Sequence, residues 1–128
     1  MWRTVRDRLP GLRLASPALV HIDYWPGNIL WDRGRITAVV DWEEAAYGDP
    51  GIDVAYCRME MVLEGMGQAA DEFLAVYEAE MGHVANLGFW ELTAAARPMA
   101  DPVGWVSESP EKKRFRQFIA DAKKRLDA

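Results

Sequence analysis

Three oxygen-bearing side chains sit close enough in the sequence to act together: Asp23 and Asn28, five residues apart in the loop DYWPGN, and Asp41 just after the run ITAVV. Hard oxygen donors of this kind suit Mg²⁺, which takes one or two carboxylates together with phosphate oxygens and water. Asn28 and Asp41 are therefore candidates to hold a metal bound to a nucleotide, which leaves Asp23 as a base for a substrate hydroxyl or amine. Asn and Asp are also ordinary turn formers, so the plainer reading of each residue alone is a loop residue. The spacing of all three is what favours phosphoryl-transfer chemistry.

For these residues to meet, the chain between them has to fold back. Residues 18–21, ALVH, read as a short buried strand, and Pro26-Gly27-Asn28 as a loop. Ile29-Leu30-Trp31 and Ile36 to Val40 are β-prone runs joined by Asp32-Arg33-Gly34-Arg35, which predicts a β-hairpin that carries Asp41 back toward Asp23. Asp49-Pro50 is a helix-start signal for a helix to about Gly65. A second helix from about Gln68 to Met81 places Ala69, Phe73, Tyr77 and Met81 on a core-facing stripe, with Gly82 as its stop. Phe89 to Arg97 reads as a third, closed by Pro98, followed by a loop over 98–108. Ser109-Pro110-Glu111 opens a last amphipathic helix through Phe115, Phe118, Ile119 and Leu126. The expected class is α+β, mainly α-helical, with one hairpin packed on about four helices.

The bounds set by composition agree with a single domain over 1–128: half the residues are hydrophobic and 27% are charged. A chain of this length buries roughly two thirds of its unfolded surface and needs no disulfide or metal staple. The net charge of −5 and a pI near 5.0 argue against a nucleic-acid partner. Residues 41–64 hold seven acids against Arg58 alone, a hint of a cationic ligand. The single cysteine, Cys57, excludes an internal disulfide and reads as helix packing; with no secretory pattern after MWRTVRDRLP and no apolar run of membrane-spanning length, a cytoplasmic protein with no membrane partner is expected.

The pattern H-x-D-x4-N, a hairpin, and then an aspartate after a buried strand resembles the protein-kinase-like fold. HIDYWPGNILW…VVDWEEAAYGDPGIDVA is similar to the aminoglycoside phosphotransferase and choline kinase family, closely over residues 19–55. The resemblance implies that Asp23 is the catalytic aspartate, that Asn28 and Asp41 bind Mg²⁺, and that ATP is the co-substrate. It implies structural support of the catalytic loop by His21 and by Asp53, at the start of the following helix, with Asp49 only a cap. The implied activity is transfer of a phosphoryl group to a hydroxyl of an aminoglycoside-like or other small molecule.

Two departures from the family stand out. Ile22 replaces the glycine common between His and Asp, and a β-branched residue resists positive φ. All four lysines follow residue 110 and Gly11 is the only glycine before the loop, so the N-terminal nucleotide-covering lobe is expected to be absent and the chain to be a C-terminal catalytic lobe. That absence keeps a second reading open, a non-catalytic kinase-like scaffold or homodimeric interaction module, since removing a lobe leaves an apolar patch. A third is a metal-dependent phosphohydrolase using His21, Asp23 and Asp41. Glu43 and Glu44 are candidates to face a cationic substrate beside the plainer reading as solvated acids. Trp25 is a candidate to stack on a ligand, although packing of Trp25, Trp31 and Trp42 in the core is the default. His83 is expected at an exposed helix end.

Overall fold

The computed structural model describes residues 1–100 and 109–128. Five α-helices and two small antiparallel sheets are present among them. We label the helices α1 (Trp2–Arg8), α2 (Gly51–Leu63), α3 (Gly67–Met81), α4 (Leu87–Ala100) and α5 (Ser109–Asp127). The strands are β1 (Ala18–Val20), β2 (Ile29–Asp32), β3 (Arg35–Val39) and β4 (Ala46–Gly48).

β2 and β3 form the expected hairpin, Ile29 opposite Val39 and Asp32 opposite Arg35, with a bulge at Leu30/Trp31. Its two-residue turn has positive φ at both Arg33 (48°) and Gly34 (77°), the mirror-image turn whose twist suits a hairpin. β1 pairs with β4, Ala18 opposite Gly48, a partnership that no local sequence signal announced. It closes the segment between them into one loop whose ends are hydrogen-bonded.

The core gathers Val54, Met59 and Leu63 of α2 with Phe89 and Trp90 of α4 and Phe115 and Phe118 of α5. Asp49 starts α2: its Oδ1 accepts the Gly51 N–H (2.8 Å), while Oδ2 accepts the Ala15 N–H (2.8 Å) and ties in the preceding strap. The helix ends in a complete Schellman motif, with Gly65 at φ 82° and bonds from Gly65 N to Val62 O and from Met66 N to Met61 O. Four helices meet at one buried charge cluster. Glu91 of α4 is fully buried and accepts from Arg58 of α2 (3.0 Å) and Arg125 of α5 (2.7 Å). Arg58 also donates to Ala70 O (2.5 Å) and Asp71 (3.2 Å) of α3.

Several sequence expectations need correction. Pro98 does not close α4; the helix runs on to Ala100 with the Pro98 ring fully buried. In the last turn proline removes a single ladder bond, and burial of its ring compensates. The expected loop is helical over 98–100, and its remainder, 101–108, lies outside the described residues. The core stripe of α3 is Ala70, Phe73, Leu74 and Tyr77, so Ala69 and Met81 (72% exposed) fall outside it. Trp25 packs against the core, but Trp31 (61% exposed) and Trp42 (46%) do not. The hairpin meets α2 through the turn Pro26–Asn28 that precedes it, and Leu30, Trp31 and Ile36 lie exposed on it rather than packed on the helices.

Candidate active site

The loop between β1 and β2 is built around the His21 side chain. Its Nδ1 faces the Asp23 N–H (3.2 Å) and its Nε2 faces Val40 O (2.7 Å). A backbone N–H can only donate and a carbonyl can only accept, so this geometry fixes the neutral tautomer with the proton on Nε2. The fully buried ring thus spaces the backbone of Asp23 from the end of the strand that delivers Asp41. Trp42 covers the ring, with centroids 4.6 Å apart. With both nitrogens committed to backbone, His21 has none left for a metal, which removes the hydrolase arrangement of His21, Asp23 and Asp41. Among the described residues no group of three His, Cys, Asp or Glu side chains could hold a metal ion.

Asp53, in the first turn of α2, accepts the N–H groups of both His21 (2.6 Å) and Ile22 (2.8 Å), one on each carboxylate oxygen. Asn28 is buried and donates Nδ2 to the Asp23 carbonyl (2.9 Å) and carboxylate (3.0 Å). Ile22 adopts φ 74° despite its β-branch, and Asp41 adopts φ 64°. Gly27 is needed for contact: a Cβ there would lie 2.2 Å from the Trp25 ring.

Asp23, Trp25, Asp41, Glu43 and Glu44 line one open cleft of about 550 Å³, together with Tyr56, Glu60, Glu64 and Arg97. Asn28 reaches this group through Asp23. His21 and Asp53 lie behind the loop instead, on a separate, mostly apolar cavity of about 320 Å³ shared with Phe73 and Tyr77. Burial, the Glu60 charge and a hydrogen bond with Asp23 push the Tyr56 hydroxyl well above its ordinary range. Burial also raises the Glu60 carboxyl, against an opposing hydrogen bond from Tyr56. Sequence reasoning missed Tyr56, Glu60, Glu64 and Arg97. The first three continue the helical face that starts at Asp53, at three, seven and eleven residues on, and that spacing could have found them. Arg97 carried no such signal, being 75 residues from the Ile22 carbonyl to which it donates.

A helical domain with Asp23, Asn28 and Asp41 around one end of a hairpin presents the oxygen donor types that phosphoryl transfer uses, and comparison with known proteins places the chain in a family. The model of the phosphotransferase enzyme family matches residues 1–90, and the chain belongs to that family. It is 57% identical over 37 residues to hygromycin-B 4-O-kinase of Escherichia coli, covering 29% of this chain and 11% of that protein. It is 34% identical over 88 residues to viomycin phosphotransferase of Streptomyces vinaceus, covering 66% of this chain and 24% of that protein. The chain thus matches a quarter or less of the length of these relatives. No solved structure matches. No helix among the described residues is long and apolar enough to cross a membrane.

Proposed function

We propose that the chain is the catalytic, C-terminal lobe of a kinase-like ATP-dependent phosphotransferase that acts in the cytoplasm on a hydroxyl of a small cationic molecule of aminoglycoside type. The observation that carries this reading is the gathering of Asp23 and Asp41 on one cleft, with Asn28 bonded to Asp23 at its edge. Asp23 orients the substrate hydroxyl and accepts its proton as the new phosphoester bond forms and the bond from the γ-phosphorus to the bridging oxygen breaks, releasing ADP. His21 and Asp53 hold the loop that presents it. The remaining acids of the cleft, Glu43, Glu44, Glu60 and Glu64, outnumber Arg97, its one cation among the described residues, and favour a cationic substrate. Trp25 supplies an apolar wall.

The donor set fits magnesium. Asn28 spends Nδ2 on Asp23, which leaves its amide oxygen for a cation, and Asp41 adds a carboxylate; both are hard oxygens without sulfur or imidazole. Bound there, the ion supplies neutralisation of charge on the transferring phosphoryl group. None of the four lysines lines the cleft; all lie on α5. Efficient turnover therefore needs further groups to grip the nucleotide, and a completing lobe is part of the proposal.

Calorimetric titration with ATP, with and without Mg²⁺, tests it. The expected outcome is magnesium-dependent binding by the chain, its loss in Asp41→Ala and its retention in Asp23→Asn, since the carboxylate removed there is the proton acceptor and not a metal ligand. Absence of magnesium-dependent binding would favour the second reading, a scaffold or homodimeric module, which the exposed Leu30, Trp31 and Ile36 of the hairpin support.

A further inference from the structure

We infer that Arg97, on α4, is a positioning residue that holds the Ile22 peptide in its left-handed conformation and so sets where Asp23 points; as a statement about catalysis this rests on the reading of Asp23 given above. Ile22 has φ 74°. For a β-branched residue that is a strained conformation, retained only when its surroundings over-determine it. Two charged side chains do so from opposite ends of the residue. Asp53 accepts the Ile22 N–H (2.8 Å), and Arg97 Nη1 donates to the Ile22 carbonyl (2.6 Å). Hydrogen bonds to charged groups are the stronger kind, and here they fix the group before and the group after the strained Cα.

The same guanidinium is anchored so that it can act as a brace. Its centre lies 4.2 Å from the Tyr56 ring centroid, and Nη2 lies 3.4 Å from Glu44 Oε2 and 4.0 Å from Asp23 Oδ1. The guanidinium presents five N–H donors in a rigid planar fork and can also lie against an aromatic face, whereas an ammonium carries three donors on a flexible stem. The carbonyl of Ile22 belongs to the peptide that leads into Asp23. Rotation of that peptide would swing the Asp23 side chain away from Asn28 and from the cleft. Where the family commonly uses glycine, this chain places isoleucine and restrains it with a cation on a distant helix.

The test is amide hydrogen exchange followed by NMR on the whole chain, with Arg97→Gln, Ile22→Gly and the double variant. In Arg97→Gln, exchange at the Ile22 and Asp23 amides is expected to accelerate about tenfold or more, while core amides such as those of Met59 and Leu92 are unchanged. In the Ile22→Gly background, where positive φ needs no restraint, Arg97→Gln should leave exchange at residue 23 nearly unchanged. Equal acceleration in both backgrounds, no acceleration in either, or a uniform acceleration through α2 and α4 overturns the proposal, because each makes Arg97 ordinary glue between helix and loop. None of these readouts needs nucleotide. Failure of the magnesium-dependent titration therefore sinks the catalytic reading without touching the brace, and failure here sinks the brace alone.

Discussion

Cys57 and Glu60 are ionisable groups on α2 that folding moves away from water. Burial, with the charges of Asp53 and Glu60 adding to it, pushes the Cys57 thiol up from 9.0 to about 12. Between these values the unfolded chain has released a proton that the folded chain keeps. The contribution to stability is therefore complete below pH 9.0 and is lost as pH rises toward about 12. Urea unfolding should show this loss at up to about 1.4 kcal/mol per pH unit from this group, and a shallower slope in Cys57→Ala. Iodoacetamide should label Cys57 only after unfolding, because the thiolate is the nucleophile. Glu60 runs the same way at acid pH. Its raised carboxyl means that the folded chain disfavours the charged form, and one of its buried oxygens has no hydrogen-bond partner among the described residues. Glu60→Gln should leave the melting temperature at pH 7 unchanged or raised, with the difference from the parent vanishing as pH falls below 4.5, the ordinary carboxyl value.

At the scale of elements, the helices are held by close approach and by one buried charge cluster. Removing Glu91 would leave the buried Arg58 with only the exposed Asp71 as an acidic partner, so Glu91→Ala should cost about 3–5 kcal/mol in denaturant unfolding, a large share of a small domain's stability. A Cβ on Gly51 would lie 2.3 Å from the Trp90 ring, so Gly51→Ala should destabilise by about 1–3 kcal/mol through overpacking, read as a lowered urea midpoint. The elements legible in the sequence were those with local signals: the hairpin through its Arg33-Gly34 turn, α2 through Asp49 and Gly65, and α5 through the spacing of Phe115 and Phe118. Those that depended on distant partners were not. β4 exists because β1 lies beside it, and α1 carries no buried residue to give it a clear stripe. Trp31 looked like core because an indole is large and apolar, but nothing among the described residues covers it. The same division holds at the site. Asp23, Asn28 and Asp41 could be recognised by spacing along the chain, whereas Arg97 joins them only through the packing of α4.

For the whole molecule, an acidic cleft lies near a hairpin with exposed apolar side chains. The second feature predicts association: sedimentation equilibrium at micromolar concentration should show self-association that Leu30→Lys and Trp31→Ser reduce, without change in the far-ultraviolet circular dichroism. A strictly monomeric parent would remove the case for a homodimer. The pairing of β1 with β4 has a different consequence. Because Asp53, His21 and the strand pairs hold both ends and the middle of the segment from β1 to β4, covalent continuity at the hairpin tip contributes little to its shape. A chain cut between Arg33 and Gly34 would put Asp23 on one fragment and Asp41 on the other, and the two pieces should find each other and rebuild the site. Under the proposed function, nucleotide binding would then become a reporter of fragment reassembly, switched on when the two halves are brought together.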